Sequence, residues 1–182
     1  SLNPSNGKIK QLQAKEDVIS DYSIANQAFE MVYFGLSASN SQRLYTYNLK
    51  NDASSCLIDL SKEILRDVTL GEVQDWNFVS AQGDTIYGRF YLPPHFDATK
   101  KYPMIVNYYG GTTPTARVME SRYPSHVYAG LGYIVYIIQP SGATGFGQEF
   151  SARHVNAWGK LTADEIIEGT KKFCEEHPFV NT

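Results

Sequence analysis

Alternating apolar and polar positions predict several short β-strands in the first third of the chain. Residues 30–36 (EMVYFGL) and 43–49 (RLYTYNL) are rich in β-branched and aromatic residues, and a polar loop separates them. Asn51 and Asp52 supply a turn before a third short strand at residues 56–60 (CLIDL). Short strands at this spacing are typical of a sandwich or of one β-propeller blade, and only one such unit is visible. The sequence therefore predicts an antiparallel β-meander.

From residue 76 onward the pattern changes to strands that alternate with helices. Residues 62–75 form a charge-rich connector or short helix before this change. The predicted elements are, in chain order, a hairpin of residues 76–80 and 85–92, a buried strand that opens at 104–106, a helix at 123–131 and a strand at 134–138. Thr162 and Glu165 have the spacing of a capping box, which predicts a helix that starts there and ends before Pro178. This order is typical of an α/β layer.

Composition and charge exclude several classes of function. The 182 residues carry 16 Lys and Arg against 19 Asp and Glu, and this net charge of −3 does not favour nucleic-acid binding. The longest apolar run, residues 133–138, is too short to cross a membrane. Cys56 and Cys174 make neither a disulfide framework nor a metal cluster. The chain has four histidines: His95, His126, His154 and His177. They lie in separate segments without metal-ligand spacing, so no metal or cofactor is predicted.

A glycine-rich loop at residues 141–147 (SGATGFG) follows an apolar strand, as in the dinucleotide-binding fingerprint of dehydrogenases. Gly142 and Gly145 fit that fingerprint, but the third glycine falls at Gly147 and only about one helix follows it. The pattern therefore favours a loop that needs positive φ and close backbone approach over a nucleotide site. No G-x-S-x-G occurs in the chain, so the sequence contains no nucleophile elbow.

A series of short motifs follows in a fixed order along the second part of the chain. They are residues 91–97 (YLPPHFD), 100–103 (KKYP), 107–111 (NYYGG), 141–147 (SGATGFG), 158–159 (WG) and Asp164. In this order they resemble the prolyl oligopeptidase family of serine peptidases, in particular its dipeptidyl peptidase IV and acylaminoacyl peptidase branches. The resemblance implies the N-terminal half of an α/β-hydrolase domain at residues 72–182. The meander of residues 1–71 is then similar to the last blade of a β-propeller.

The resemblance also implies a chemistry, in which a Ser, Asp and His triad cleaves peptides through an acyl-enzyme, without a cofactor. Tyr109 stands where the dipeptidyl peptidase branch has a tyrosine whose hydroxyl donates to the oxyanion of the tetrahedral intermediate. Gly110 and Gly111 allow the chain to turn sharply after it. Without the resemblance, Tyr109 is one of 13 tyrosines and packs at the end of a strand.

Three positions depart from the family pattern. Ser141 replaces the usual arginine of the glycine-rich loop, so any ion pair of that arginine is missing. Thr112 stands where a proline often follows the glycine, and Tyr109 stands in place of the His-Gly-Gly sequence of the acylaminoacyl branch. The alternatives are an esterase on the same fold, a non-catalytic propeller–hydrolase homologue that acts as a binding protein and, last, a dehydrogenase. The sequence does not separate exopeptidases from endopeptidases, and the resemblance favours a periplasmic or secreted location over a cytoplasmic one.

The order of the family's elements implies that the nucleophile, acid and base lie outside these 182 residues. We therefore expect this chain to be a fragment of a peptide-cleaving enzyme and to be inactive by itself. In the same frame, the strand from Met104 to Tyr108 is left as an unpaired apolar sheet edge. An open edge of this kind predicts self-association.

Overall fold

The computed structural model describes residues 1–157 and 159–182 and divides into two compact units. The meander unit comprises Ser1–Val68 with Val118–Glu120. The α/β unit comprises Thr69–Arg117 and Ser121–Thr182. Among the described residues, none of the helices combines the length and the apolar character needed to cross a bilayer.

Four antiparallel strands, adjacent in sequence order, form the sheet of the meander unit. They are β1 (Val18–Ile24), β2 (Glu30–Leu36), β3 (Arg43–Asn48) and β4 (Ala53–Asp59), and the short helix α1 (Ser61–Ile64) follows them. The predicted meander is confirmed for β2, β3 and β4, and the structure adds β1. The first strand escaped prediction because all seven of its residues are exposed, which leaves no alternation between buried and exposed positions.

A mixed sheet of five strands is the centre of the α/β unit. Its strands are β5 (Val73–Asp75), β6 (Phe78–Val79), β7 (Thr85–Tyr91), β8 (Met104–Asn107) and β9 (Ile134–Gln139), and its helices are α2 (Ser125–Gly130), α3 (Gln148–Ala152) and α4 (Lys160–Glu176). The strand order is β5-β7-β9-β8, with β6 also paired to β7. Strand β7 runs antiparallel to β9, whereas β8 runs parallel to it. The predicted hairpin of β6 and β7 and the α/β alternation are confirmed.

Strand β9 is the buried centre of this sheet. All six of its residues are buried, which confirms the prediction of a strand covered on both faces. Tyr136 projects from one face into the main core, where its ring stacks on Phe173 of α4 with centroids 4.6 Å apart. Helix α4 approaches this face closely, because a Cβ on Gly169 would lie 2.6 Å from Phe78 and 2.7 Å from Ile138. Strand β8 pairs with β9 over its whole length, so its carboxyl end lies beside a buried strand.

Candidate active site

Tyr109, which the family resemblance marks as an oxyanion donor, lies directly beyond the carboxyl end of β8. This strand ends at Asn107, and Tyr108 and Tyr109 then leave the sheet. Both tyrosines are 53% exposed. Ligands of open α/β sheets bind outside the carboxyl ends of the strands, so Tyr109 is an accessible hydroxyl at the edge where such sheets form their sites.

The turn after Tyr109 depends on glycine at one position. The ring of Tyr109 folds over Gly111, so that a Cβ on Gly111 would lie 2.6 Å from Tyr109 Cε1. Gly110, in contrast, has open space where a Cβ would lie. Gly111 is therefore the residue that lets the tyrosine ring occupy this place.

A surface cleft of about 280 Å³ opens beside Tyr109. It is lined by the end of β8 and by the loop that leads to α2: Asn107 to Tyr109, Thr113 to Ala116 and Ser121 to Tyr123. The guanidinium of Arg122 lies 5.8 Å from the ring centroid of Tyr123, a cation–π contact. The cleft therefore offers a phenol hydroxyl and a cation to the polar groups of a ligand.

A charge cluster that the sequence did not reveal fixes the loop lining this cleft. Arg89 of β7 and Arg117 of the loop both bind Asp75 Oδ1, over 2.7 and 2.9 Å. Arg89 also donates to the backbone carbonyl of Arg117 over 3.3 Å. The two guanidinium groups hold the pKa of the Asp75 carboxyl below its usual value, and the hydrogen bond from Arg89 has the largest effect. Its members are 14 to 42 residues apart, so no local motif marks the cluster.

The glycine-rich loop of residues 141–147 contacts the turn that follows Tyr109. The Thr144 amide donates to the carbonyl of Thr112 over 2.8 Å, and Thr144 Oγ1 donates to the same oxygen over 3.1 Å. Gly142 and Gly145 have φ angles of +95° and +94°. These angles and contacts confirm the expectation of a loop with positive φ and close backbone approach.

His154, just after α3, contacts the same turn from another direction. Its Nε2 atom lies 3.3 Å from the carbonyl oxygen of Gly111. The imidazole packs on the Cα of Gly142, where any Cβ would overlap the ring. Sequence reasoning gave His154 no role, because the two partners are 43 residues apart and no local pattern marks their contact.

The predicted capping box at Thr162 and Glu165 is wrong. Helix α4 begins at Lys160, after Gly159 with φ +90°, and no side chain caps it. Since the helix starts earlier than predicted, Glu165 lies inside it, only 1% exposed, and accepts a hydrogen bond of 2.7 Å from the Ser141 amide. Burial raises the pKa of this carboxyl, and the hydrogen bonds from Ser141 oppose the rise only in part. Glu165 therefore joins the glycine-rich loop to α4.

The remaining candidate side chains are not brought together. His95 lies in a loop with φ +57°, His126 packs against Tyr91 from α2, and His177 follows α4. Residues 1–157 and 159–182 hold no group of three or more His, Cys, Asp or Glu positioned for a metal ion.

Asp164, another motif position, contributes no reactive group to the site. Asp164 is paired with Lys160 over 2.7 Å on the exposed surface of α4. Trp158, the first residue of the 158–159 motif, lies outside the described residues. Cys56 and Cys174 are both free thiols, and burial raises the pKa of Cys174.

Known proteins resemble this chain over both units. The sequence profile of the prolyl oligopeptidase family matches residues 120–182. Dipeptidyl-peptidase 5 of Porphyromonas gingivalis is 28% identical over 176 residues, covering 96% of this chain and 25% of that protein. Probable dipeptidyl-peptidase 5 of Aspergillus terreus is 32% identical over 109 residues, covering 59% of this chain and 14% of that protein. An acylaminoacyl peptidase of Pyrococcus horikoshii superposes with a TM-score of 0.82 at 19% identity, over 97% of this chain and 27% of its own.

These likenesses differ in what they establish. The chain spans a quarter or less of the length of these two curated relatives. The structural likeness, at 19% identity, shows a shared fold. The profile match lies within the segment whose motifs carry the resemblance. The similarity to the sequence relatives continues beyond this match toward the N-terminus. The resemblance to the prolyl oligopeptidase family is confirmed by the profile match at residues 120–182 and by the dipeptidyl-peptidase relatives.

Proposed function

We propose that this chain is part of a serine peptidase of the dipeptidyl or oligopeptidyl type, in which Tyr109 donates a hydrogen bond to the oxyanion. The observation that carries the proposal is the position of Tyr109, half exposed beyond the carboxyl end of β8 and beside an open cleft. Peptidases among the sequence relatives support the reaction class. The substrates proposed are peptides, bound with the scissile carbonyl oxygen toward the Tyr109 hydroxyl.

In this reaction a serine oxygen attacks the carbonyl carbon, and the electron pair of the C=O bond moves to the oxygen. The resulting oxyanion needs hydrogen-bond donors about 3 Å away, and these stabilise the transition state more than the substrate. A phenol hydroxyl suits this role, because it stays a neutral donor at pH 7 and needs to give up no proton. The ring of Tyr109 rests on Gly111, which limits the positions that the hydroxyl can sample. By family resemblance, the second donor is the amide that follows the serine.

The proposed architecture is the N-terminal half of an α/β-hydrolase domain at residues 72–182, preceded by the last propeller blade at residues 1–71. The shared fold with an acylaminoacyl peptidase supports this assignment. Serine, acid and base are then supplied from outside these 182 residues, and we expect the chain alone to hydrolyse no peptide. Turnover by a pure sample of the 182-residue chain, abolished by a serine-directed inhibitor, contradicts this expectation.

The test of the oxyanion role is the substitution Tyr109→Phe in the whole peptidase that contains this chain. Removing one oxyanion donor lowers kcat by about 10²–10³-fold, and KM changes little because the donor acts in the transition state. Tyr108→Phe is the matched control, since Tyr108 is adjacent and equally exposed. A loss of kcat with Tyr108→Phe and none with Tyr109→Phe moves the role to the other hydroxyl. Esterase activity without peptidase activity, or ligand binding without turnover, favours the two alternative functions.

A further inference from the structure

We propose that His154 is a positioning residue for the oxyanion donor, holding the turn that carries Tyr109 through the carbonyl of Gly111. This inference rests on the proposed function of Tyr109. It comes from the convergence of three segments that are distant in sequence: the turn after β8, the glycine-rich loop and the segment after α3. None of the motifs that carry the family resemblance includes His154.

The turn that carries Tyr109 requires support from elsewhere in the fold. Beyond Asn107 the backbone leaves the sheet, and no helix or strand forms again until α2 begins at Ser125. Unpaired backbone groups in such a segment need partners outside it. Thr112 finds a partner in Thr144, and Thr115 exchanges two hydrogen bonds with the side chain of Gln139, over 2.9 and 2.6 Å.

Of these supports, the contact of His154 lies nearest to Tyr109 in sequence, at Gly111. Its imidazole Nε2 reaches the carbonyl oxygen of Gly111, the residue on which the Tyr109 ring lies. Gly111 is buried, whereas Thr112 is exposed. A displacement of Gly111 therefore moves the surface on which the tyrosine ring rests. The contacts therefore run from the Tyr109 ring to Gly111, from Gly111 to the His154 ring, and from that ring to Gly142.

Gly142 explains why the imidazole can occupy this position. A side chain at Gly142 would overlap the ring of His154, so the loop must carry glycine there. The backbone of Gly142 is itself fixed, because its amide donates to the carbonyl of Phe150 in α3 over 2.8 Å. Phe150 is buried in the main core. His154 is thus held between the core-anchored loop and the turn of Tyr109.

The charge state of His154 does not decide this role. An imidazole protonated at Nε2 donates to a carbonyl oxygen, and so does an imidazolium. Position 154 requires a planar group of about the size of imidazole, with a hydrogen-bond donor where Nε2 of His154 lies. Phe keeps the ring and removes the donor, whereas Gln keeps an amide donor at a similar distance from the backbone.

The experiment compares His154→Phe and His154→Gln in the whole peptidase, with Tyr109→Phe as reference. We expect His154→Phe to lower kcat by about 10- to 100-fold with KM within about twofold, because a small misplacement of a catalytic group costs rate rather than binding. His154→Gln should recover most of kcat. Thermal unfolding of each variant separates a loss of folding from a loss of positioning.

A double-mutant cycle tests whether His154 acts through Tyr109. In the Tyr109→Phe background, His154→Phe should lower kcat by less than about twofold further, since there is no donor left to position. Full additivity of the two losses, or an undiminished kcat in His154→Phe, overturns the inference. If Tyr109→Phe itself leaves kcat unchanged, the proposed function fails, and the cycle distinguishes that result from failure of the positioning role.

A pair of glycine variants gives an independent check. Gly142→Ala and Gly145→Ala impose similar backbone strain, because both residues have φ near +95°, but only the first introduces a methyl group that overlaps His154. We expect kcat to fall at least about tenfold further in Gly142→Ala than in Gly145→Ala. Equal losses in the two variants contradict the contact as the cause.

Discussion

The two sheets of this chain bury their tyrosines in opposite ways. In the meander unit, Tyr33, Tyr45 and Tyr47 are at most 4% exposed, yet every hydroxyl has a polar partner. The partners are Ser54 for Tyr33, Glu16 for Tyr45 and Asp52 for Tyr47. Burial and the neighbouring Glu16 raise the pKa of Tyr45 to about 12. This sheet has a small core in which hydrogen bonds contribute a large part of the specificity.

In the α/β unit, Tyr136 is fully buried among aromatic rings, and its hydroxyl has no hydrogen-bond partner in the described part of the chain. Burial raises its pKa. Its ring stacks on Phe173 and meets Trp76 edge to face, 5.6 Å between centroids. A buried hydroxyl without a partner costs free energy, and the burial of the aromatic ring in this larger core offsets that cost. The same residue type is therefore a hydrogen-bonding group in one sheet and mainly a hydrophobic ring in the other.

The same substitution should have unequal effects on stability in the two sheets. Tyr47→Phe leaves the Gln13 amide without its acceptor and removes the donor to Asp52 Oδ1, and we expect a loss of about 1–2 kcal/mol in the free energy of unfolding. Tyr136→Phe removes a buried hydroxyl that has no partner and should change stability by less than about 0.5 kcal/mol or increase it. Urea unfolding followed by circular dichroism measures both. Equal destabilisation by the two variants would remove the contrast.

Elements whose signal lies in their own residues were predicted from the sequence. Elements that depend on partners distant in the chain were missed. Strands β2, β7 and β9 carry their signal in their own residues, and each was predicted. Strand β5 was not, because its three residues become a strand only by pairing with β7. The capping-box error at Glu165 has a related cause. The spacing of Thr162 and Glu165 fits a cap as well as a buried position, and the Ser141 amide, 24 residues away, decides between them.

The candidate site shows the same limit. Tyr109 was identified only because its neighbours resemble a family motif, since its own residue type occurs 13 times in the chain. His154 could not be found in this way, because its role depends on the approach of Gly111 and Gly142 from two other loops. A local motif therefore marks Tyr109, whereas only the folded structure brings His154 to its contacts.

Glu165 is a buried polar group of the α/β unit that should make folding stability depend on pH. Because burial raises its pKa, the folded state keeps the proton to higher pH than the unfolded chain does. Stability should therefore fall as pH rises from the unfolded carboxyl pKa through the raised folded value, and it should change no further above that. Glu165→Gln removes this slope and keeps an acceptor for the Ser141 amide. We expect the variant to match the wild type near pH 4 and to exceed it by about 1 kcal/mol at pH 8.

A second carboxyl on the same helix is the control for this prediction. Glu168 has a lowered pKa, chiefly because Lys172 donates to it, and it also accepts from the Ala81 amide. Its contribution to stability is present above the unfolded carboxyl pKa and is lost as pH falls through the lowered value. Glu168→Gln should therefore reduce stability at pH 8, opposite in sign to Glu165→Gln. Urea unfolding of both variants between pH 4 and pH 8 measures the change in stability that each substitution causes. The same sign for both changes at pH 8 contradicts the opposite directions of the two pKa shifts.

The edges of the two sheets differ as well. In the meander unit both edge strands carry an irregularity in register, at Ser20 of β1 and Leu57 of β4. Each of these strands also contains an aspartate, Asp21 or Asp59. Bulges and charges protect an edge from pairing with another chain. Strand β8, with the sequence MIVN, has neither device and pairs only with β9 among the described strands.

The smallest expected effect therefore concerns association rather than folding. We expect the 182-residue chain to associate through β8, with an apparent mass that rises at most about twofold with concentration, since twofold pairing is the commonest closed arrangement. A charge at the open edge should suppress this, so Ile105→Lys should sediment as a monomer. Ser55→Lys on the protected edge strand β4 should associate like the wild type, because that edge already carries a bulge and an aspartate. A wild-type chain that remains monomeric at every concentration, or suppression by Ser55→Lys as strong as by Ile105→Lys, would show that the unprotected edge is not the contact.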